Sequence, residues 1–127
     1  MKKSDIAARL REFPYDPGEY WVVAGGAMVL HGLREDTADI DLGCTPRMAD
    51  ELEARGYLYK VTPDGNRWFK LDGGMEVFEN WLCDTVVHVG ETPVVSPRGL
   101  LEMKRLLGRE KDKRDAERIE EYLRRSV

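Results

Sequence analysis

Apolar residues recur along this chain with two periods. Near the N-terminus Ile6, Leu10 and Phe13 fall at i, i+4 and i+7, the spacing of one helix face, and Ser4 stands where an N-cap belongs. The pattern predicts a short amphipathic helix over residues 4–13, broken by Pro14, Asp16, Pro17 and Gly18. Residues 20–24 are a compact run rich in aromatic and β-branched side chains, read as a strand buried on both faces. Gly25 and Gly26 are expected to end that strand, with a short helix at 27–33, a polar loop at 34–37 and a second strand at 38–42. Thr45 and Pro46 open a helix over 47–55, in which Met48 and Leu52 lie one turn apart and Gly56 is the stop.

Three strands joined by tight turns follow at 57–62, 67–71 and 75–78; the turns are Pro63-Asp64-Gly65-Asn66 and Asp72-Gly73-Gly74. Shorter β-branched runs occupy 85–89 and 93–95. From Pro97 the helical period returns. Leu100, Leu101, Met103, Leu106 and Leu107 make one apolar face, Gly108 interrupts it, and Ala116, Ile119, Tyr122 and Leu123 make another. The expected fold class is α+β: a mixed, twisted β-sheet flanked by helices, with a core at 20–96 and a helical C-terminal end at 97–125. Residues 1–127 read as a single domain.

Composition narrows the class. A chain 42% hydrophobic and 35% charged is ordinary for a soluble protein. No apolar run approaches the roughly 20 residues of a membrane-spanning helix, and the first ten residues are too charged for a secretory signal. A cytoplasmic location and no membrane partner are therefore expected. Cys44 and Cys83 lie outside any metal-ligand spacing and are expected as free thiols; His31 and His88 are too few for a zinc site. The net charge of −4 argues against broad nucleic-acid binding, but Lys and Arg concentrate between Arg98 and Arg125 as a local basic wall.

The candidate chemistry starts at Asp39 and Asp41. Residues i and i+2 of a strand share a face, so two carboxylates would project together while Ile40 and Leu42 enter the core. Such a pair repels itself unless a cation lies between, and one or two carboxylates with substrate phosphates are the usual setting for Mg²⁺. Gly25 and Gly26 would let backbone amides approach a phosphate. Glu76, set between Met75 and Val77, is the candidate third acid, with Glu79 and Asp72 as alternatives. Each element also has a structural reading. The glycines can be a turn, Asp39 and Asp41 a solvated face, and Lys104 and Lys111 the wet side of a helix. Asp112 and Asp115 can pair with neighbouring Lys and Arg, and Trp21, Trp68 and Trp81 can be core or rim aromatics.

Together, Gly25-Gly26, a spacer of twelve residues, Asp39-Ile40-Asp41 and Met75-Glu76-Val77 resemble the signature of the DNA polymerase beta-like nucleotidyltransferase superfamily. Thr37, two positions before the first aspartate, resembles the small bacterial branch, which includes antibiotic-modifying transferases and toxins of toxin–antitoxin pairs. The segment from Lys104 to Asp115, with Gly108, Arg109, Lys111 and Asp112, is also similar to that branch. The resemblance implies that Asp39, Asp41 and Glu76 are catalytic and bind Mg²⁺. It implies that Gly25, Gly26, Thr37 and Lys104 bind the nucleotide. It further implies transfer of a nucleoside monophosphate from an NTP to an acceptor hydroxyl on a small molecule, a protein or RNA. One departure is Gly26, where many members carry serine. The competing expectations are a catalytically inactive nucleotide- or partner-binding module, and an RNA-modifying toxin that uses the basic C-terminal helices. A homodimer or a protein partner would complete so small a site.

Overall fold

The structure is a computed structural model that describes residues 1–81 and 85–125. Among the described residues five helices and seven strands follow in the order α1 (Lys3–Arg11), β1 (Tyr20–Val23), α2 (Ala24–Leu30), β2 (Ile40–Cys44), α3 (Pro46–Ala54), β3 (Tyr59–Val61), β4 (Arg67–Leu71), β5 (Met75–Glu79), β6 (Val86–Val89), β7 (Thr92–Val95), α4 (Pro97–Leu107) and α5 (Glu110–Arg125). The strands form one sheet in the order β3-β4-β5-β2-β1-β7-β6. It is mixed: β1 runs antiparallel to β2 but parallel to β7, and β2 runs parallel to β5. The α+β architecture with a helical C-terminal end is the one the periodicity predicts.

Burial explains the central order. All four residues of β1 are buried, as are Ile40, Leu42 and Cys44 on one face of β2 and Val77 on β5. Strands with this apolar content gain most in the middle of a sheet. Helix α2 lies against β1, β2 and β7, α1 packs on α2, and α4 pairs with α5 and reaches α2. Cys44 is a buried free thiol, pushed up to about 12 by burial and the nearby Glu79; Cys83 falls outside the described residues.

Three local expectations are corrected. Helix α1 begins at Lys3, so Ser4 is not its N-cap; the Asp5 carboxylate instead accepts the Lys2 backbone N–H at 2.8 Å. Gly25 and Gly26 do not end β1 but lie in the first turn of α2, which starts at Ala24. That abrupt reversal packs the helix start tightly. A Cβ on Gly25 would stand 2.6 Å from Thr37 Oγ1, and one on Gly26 2.8 Å from Val22 Cγ1. Ala24, at the junction, takes a φ of 57°, a left-handed conformation that an L-residue adopts only under constraint. Finally, β2 starts at Ile40, leaving Asp39 just before the strand. The ladder to β5 opens with Ile40 beside Met75, while the Ile40 N–H donates to Gly74 O.

Candidate active site

Strand pairing assembles the acids. Asp41 and Glu76 are register partners across the parallel β2–β5 ladder, and neighbouring strands lie about 4.8 Å apart with partner side chains on the same face. Asp39, two residues before Asp41, is brought to the same crest and is exposed. Burial, together with the charges of Glu76 and Asp39, raises the Asp41 carboxyl to about 6 against the pull of Lys104 and Lys111. Asp41 therefore feels both neighbouring acids. Among the described residues no three acidic, His or Cys side chains are gathered into a preset metal cluster.

The alternatives for the third acid point elsewhere. Glu79 is one parity step away, buried, and held by Arg67 through its Nε, its Nη2 and its backbone N–H at 2.8–3.1 Å. The Arg67 hydrogen bonds hold the Glu79 carboxyl below its ordinary range against the effect of burial. Asp72 is exposed in the turn, and its carbonyl accepts from Arg9 of α1. Arg9 also donates to Gly73 O, so α1 braces the turn that precedes Glu76. Gly74, in that turn, has a φ of 75°, and a Cβ there would lie 2.9 Å from Asp39 Oδ1.

A cavity of about 710 Å³ opens beside this crest. Asp39 and Asp41 form its acidic wall, Gly25 and Thr37 its floor, and Arg34, Lys104, Arg109 and Lys111 its basic wall. Glu76 lies in an adjoining hollow of about 220 Å³ that shares Asp39 and Asp41. Thr37 Oγ1 donates to Asp39 O at 3.1 Å, tying the approach loop to the first acid. Gly26 does not line the cavity; it faces Val22 and Ile6. The first turn of α2 carries no side-chain cap, since its N-cap is Val23.

Lys104 reaches the cavity from α4 but is only 5% exposed. Its Nζ lies 3.0 Å from Asp115 and 3.5 Å from Asp112, both buried on α5. Arg34 donates both to Asp115 oxygens at 3.1–3.2 Å, and Arg109 pairs with Asp112. Burial works to raise the Asp112 carboxyl, and the Arg109 hydrogen bonds with the Lys104 charge outweigh it, so it stays below its ordinary range. Arg109 with Asp112 is a pairing of neighbours along the chain, as expected; Lys104 and Arg34 are long-range partners that local spacing does not reveal. Arg109 and Lys111 carry the exposed positive charge of the wall, and Arg34 adds to it half-buried against Asp115. Of these, Arg34 sits in a loop with no periodic signal, whereas Arg109 and Lys111 belong to the Lys104–Asp115 segment.

Across the cavity, Phe78 and Trp81 supply aromatic lining. Trp81 is anchored by its carbonyl, which accepts from Trp21 Nε1 at 2.7 Å, and a Cβ on Gly43 would collide with the Trp21 indole and the Trp81 carbonyl.

Comparison with known proteins agrees with this architecture. The chain shares its fold with a Thermotoga maritima protein provisionally named a nucleotidyltransferase: TM-score 0.63, 16% identity, covering 98% of this chain and 96% of that one. No family model matches the sequence, and the search of curated proteins gives no significant match. The α+β fold of that protein is thus shared over nearly the whole chain. Among the described residues no helix is long and apolar enough to cross a membrane.

Proposed function

We propose that the cavity binds an NTP with Mg²⁺ and transfers its nucleoside monophosphate to an acceptor hydroxyl. The observation that carries this reading is the pairing of Asp41 with Glu76 across the ladder, beside Asp39 and facing the basic wall. An all-oxygen donor set suits a hard divalent ion, and Mg²⁺ takes one or two carboxylates plus phosphate oxygens. Asp39 and Asp41 would hold it. When bound, it would polarise the α-phosphate and neutralise charge there. Burial and the charges of Glu76 and Asp39 raise Asp41, and such an ion would relieve the repulsive part.

The chain's own residues supply the rest. Arg109, Lys111 and Arg34 face the triphosphate from the basic wall, with the uncapped amides at Gly25 beneath it. Lys104 adds its charge to this wall, but a phosphate that reached it would share it with Asp112 and Asp115. Glu76 stands where it can accept the acceptor's proton as the oxygen attacks phosphorus in line with the departing pyrophosphate. The test is metal-dependent NTP binding by calorimetry in the wild type and in Asp41→Asn. The variant should lose most of the metal-dependent affinity; equal binding by both proteins, or none by the wild type, overturns the reading.

A further inference from the structure

A third hollow, of about 650 Å³, lies at the other end of β1 from the acids. The strand begins at this hollow with Tyr20 and ends at the large cavity with Val23, so about 10 Å of strand separates the two. Among the described residues they share no lining side chain. Three parts of the chain build the hollow. Lys3, Ala7 and Arg11 follow one another at i, i+4 and i+8 along one stripe of α1 and line the first wall. Phe13, Tyr15 and Tyr20 make an aromatic floor: Phe13 meets Tyr15 with ring centroids 4.9 Å apart and Tyr20 edge-on at 5.3 Å. The Arg55 guanidinium sits 4.6 Å over the Tyr15 ring and fixes it. The turn from β6 to β7 adds the last wall, with Val89, Glu91 and Pro93. Pro17 and Pro93 fix φ in two of these walls, so the hollow is formed before a ligand arrives.

We propose that this hollow is a second binding site, separate from the transfer cleft, and that its ligand is a small aromatic carboxylate. Size, floor and charge select that chemistry. The volume falls within the roughly 300–1,000 Å³ of small-molecule sites. Rings set at mixed angles give a planar apolar body both edge and face contacts. Among the described residues Lys3 and Arg11 have no ion-pair partner, and Arg11 donates only its Nε, to Ala7 O at 3.4 Å. Its terminal nitrogens are left to take a carboxylate as a fork. Glu91, also without an ion-pair partner among the described residues, stands on the facing wall. Two cations and one carboxylate leave one positive charge, which matches a monoanion and disfavours the dianion of a phosphate ester. A hollow of about 620 Å³ near the sheet edge, with Tyr57, Leu58 and Trp68, suits the same ligand less well. Its cations are engaged: Lys60 and Lys70 lie 5.9 and 5.4 Å over the Trp68 ring, and Lys70 also meets Glu76 at 3.9 Å.

The test is isothermal titration calorimetry of the full chain with 2-naphthoate at low salt and neutral pH. The wild type should bind it saturably. The uncharged 2-naphthamide, with the same rings, should bind about tenfold more weakly. Lys3→Gln with Arg11→Gln changes two exposed side chains and should weaken naphthoate binding about tenfold while leaving the amide unchanged. Ala7→Leu keeps both cations and a good helix former but fills the hollow from its helix wall, and should abolish binding of both compounds. Lys60→Gln with Lys70→Gln should leave naphthoate binding as it is. Circular dichroism checks the fold of each variant. Several results overturn the site: no saturable binding by the wild type, equal affinity for naphthoate and the amide, or full binding in the Lys3 and Arg11 variant or in Ala7→Leu. Loss of binding in the Lys60 and Lys70 variant also overturns it, because the ligand then sits at the sheet edge.

Discussion

Asp41 and Glu76 are neighbours across a parallel ladder, and burial, with the charges of Glu76 and Asp39, lifts the Asp41 carboxyl to about 6. A carboxyl raised in the folded state binds its proton more tightly there than in the unfolded chain. Its folding penalty is absent below the ordinary value of 3.8 and complete above about 6. Asp41→Asn should therefore stabilise the metal-free protein at pH 7 by about 1–2 kcal/mol, after allowance for solvent screening of a half-buried group. The gain should vanish by pH 4. Urea unfolding of both proteins at several pH values measures it, and a gain independent of pH would contradict it.

At lower pH the sign reverses. Asp112 and Glu79 are held below their ordinary range, by Arg109 with Lys104 and by Arg67 respectively. Their contribution is complete above the unfolded carboxylate value and is lost as pH falls through the folded one. The melting temperature of the metal-free protein should rise slightly from pH 7 to 5 and fall below about pH 4. Scanning calorimetry across that range should show the maximum, and Asp41→Asn should lack the rise.

Lys104 is sealed between Asp112 and Asp115. Lys104→Ala leaves two buried carboxylates short of a cation, and the expected loss is about 3–5 kcal/mol. Lys104→Met, which restores the volume but not the charge, should recover little of it. Denaturant midpoints of both variants decide the point; full recovery by methionine would mean that packing, not charge, sets the role of Lys104.

The start of α2 makes a pairwise prediction. Gly25→Ala forces a Cβ against Thr37 Oγ1 and should cost about 1–3 kcal/mol. Thr37→Ala removes that oxygen, so the double variant should be more stable than the sum of the single effects by about 1 kcal/mol. Simple additivity in the double-mutant cycle would show that the contact does not constrain the helix.

Gly74 supports Asp39 from the neighbouring turn at a φ of 75°. Gly74→Ala should cost about 1–2 kcal/mol for the left-handed backbone alone, and should reduce metal-dependent NTP affinity further as Asp39 is displaced. Thermal melts and calorimetry separate the two losses. Unchanged NTP affinity would show that Asp39 does not depend on the turn.

Much of this was readable because it is local. The Asp39-Ile40-Asp41 alternation, the Thr45-Pro46 helix start and the Gly108 break each declare themselves within a few residues, and Arg67–Leu71 keeps the predicted bounds. The pairing of strands is not local, so nothing near Glu76 announces that β5 lies beside β2 rather than only beside β4. Lys104 was open to a reading as a solvated residue because its partners lie on the next helix. A signal did exist: Asp112, Asp115, Ala116 and Ile119 fall on one helical stripe, and all are buried, so two acids occupy an apolar face and call for cations opposite. Arg34 had no such signal, since a loop arginine acquires its partner only through the tertiary fold.

The parallel register of β2 and β5 also limits how this site can change over generations. Side chains alternate along β2, so inserting or deleting a single residue between Asp39 and Cys44 would turn carboxylates into the core and Ile40 and Leu42 out to solvent. Loss of the acids and loss of the fold would then arrive in one step. Descendants of this chain can vary the residues of that strand, but its length is held, and variation in length is displaced to the loops on either side.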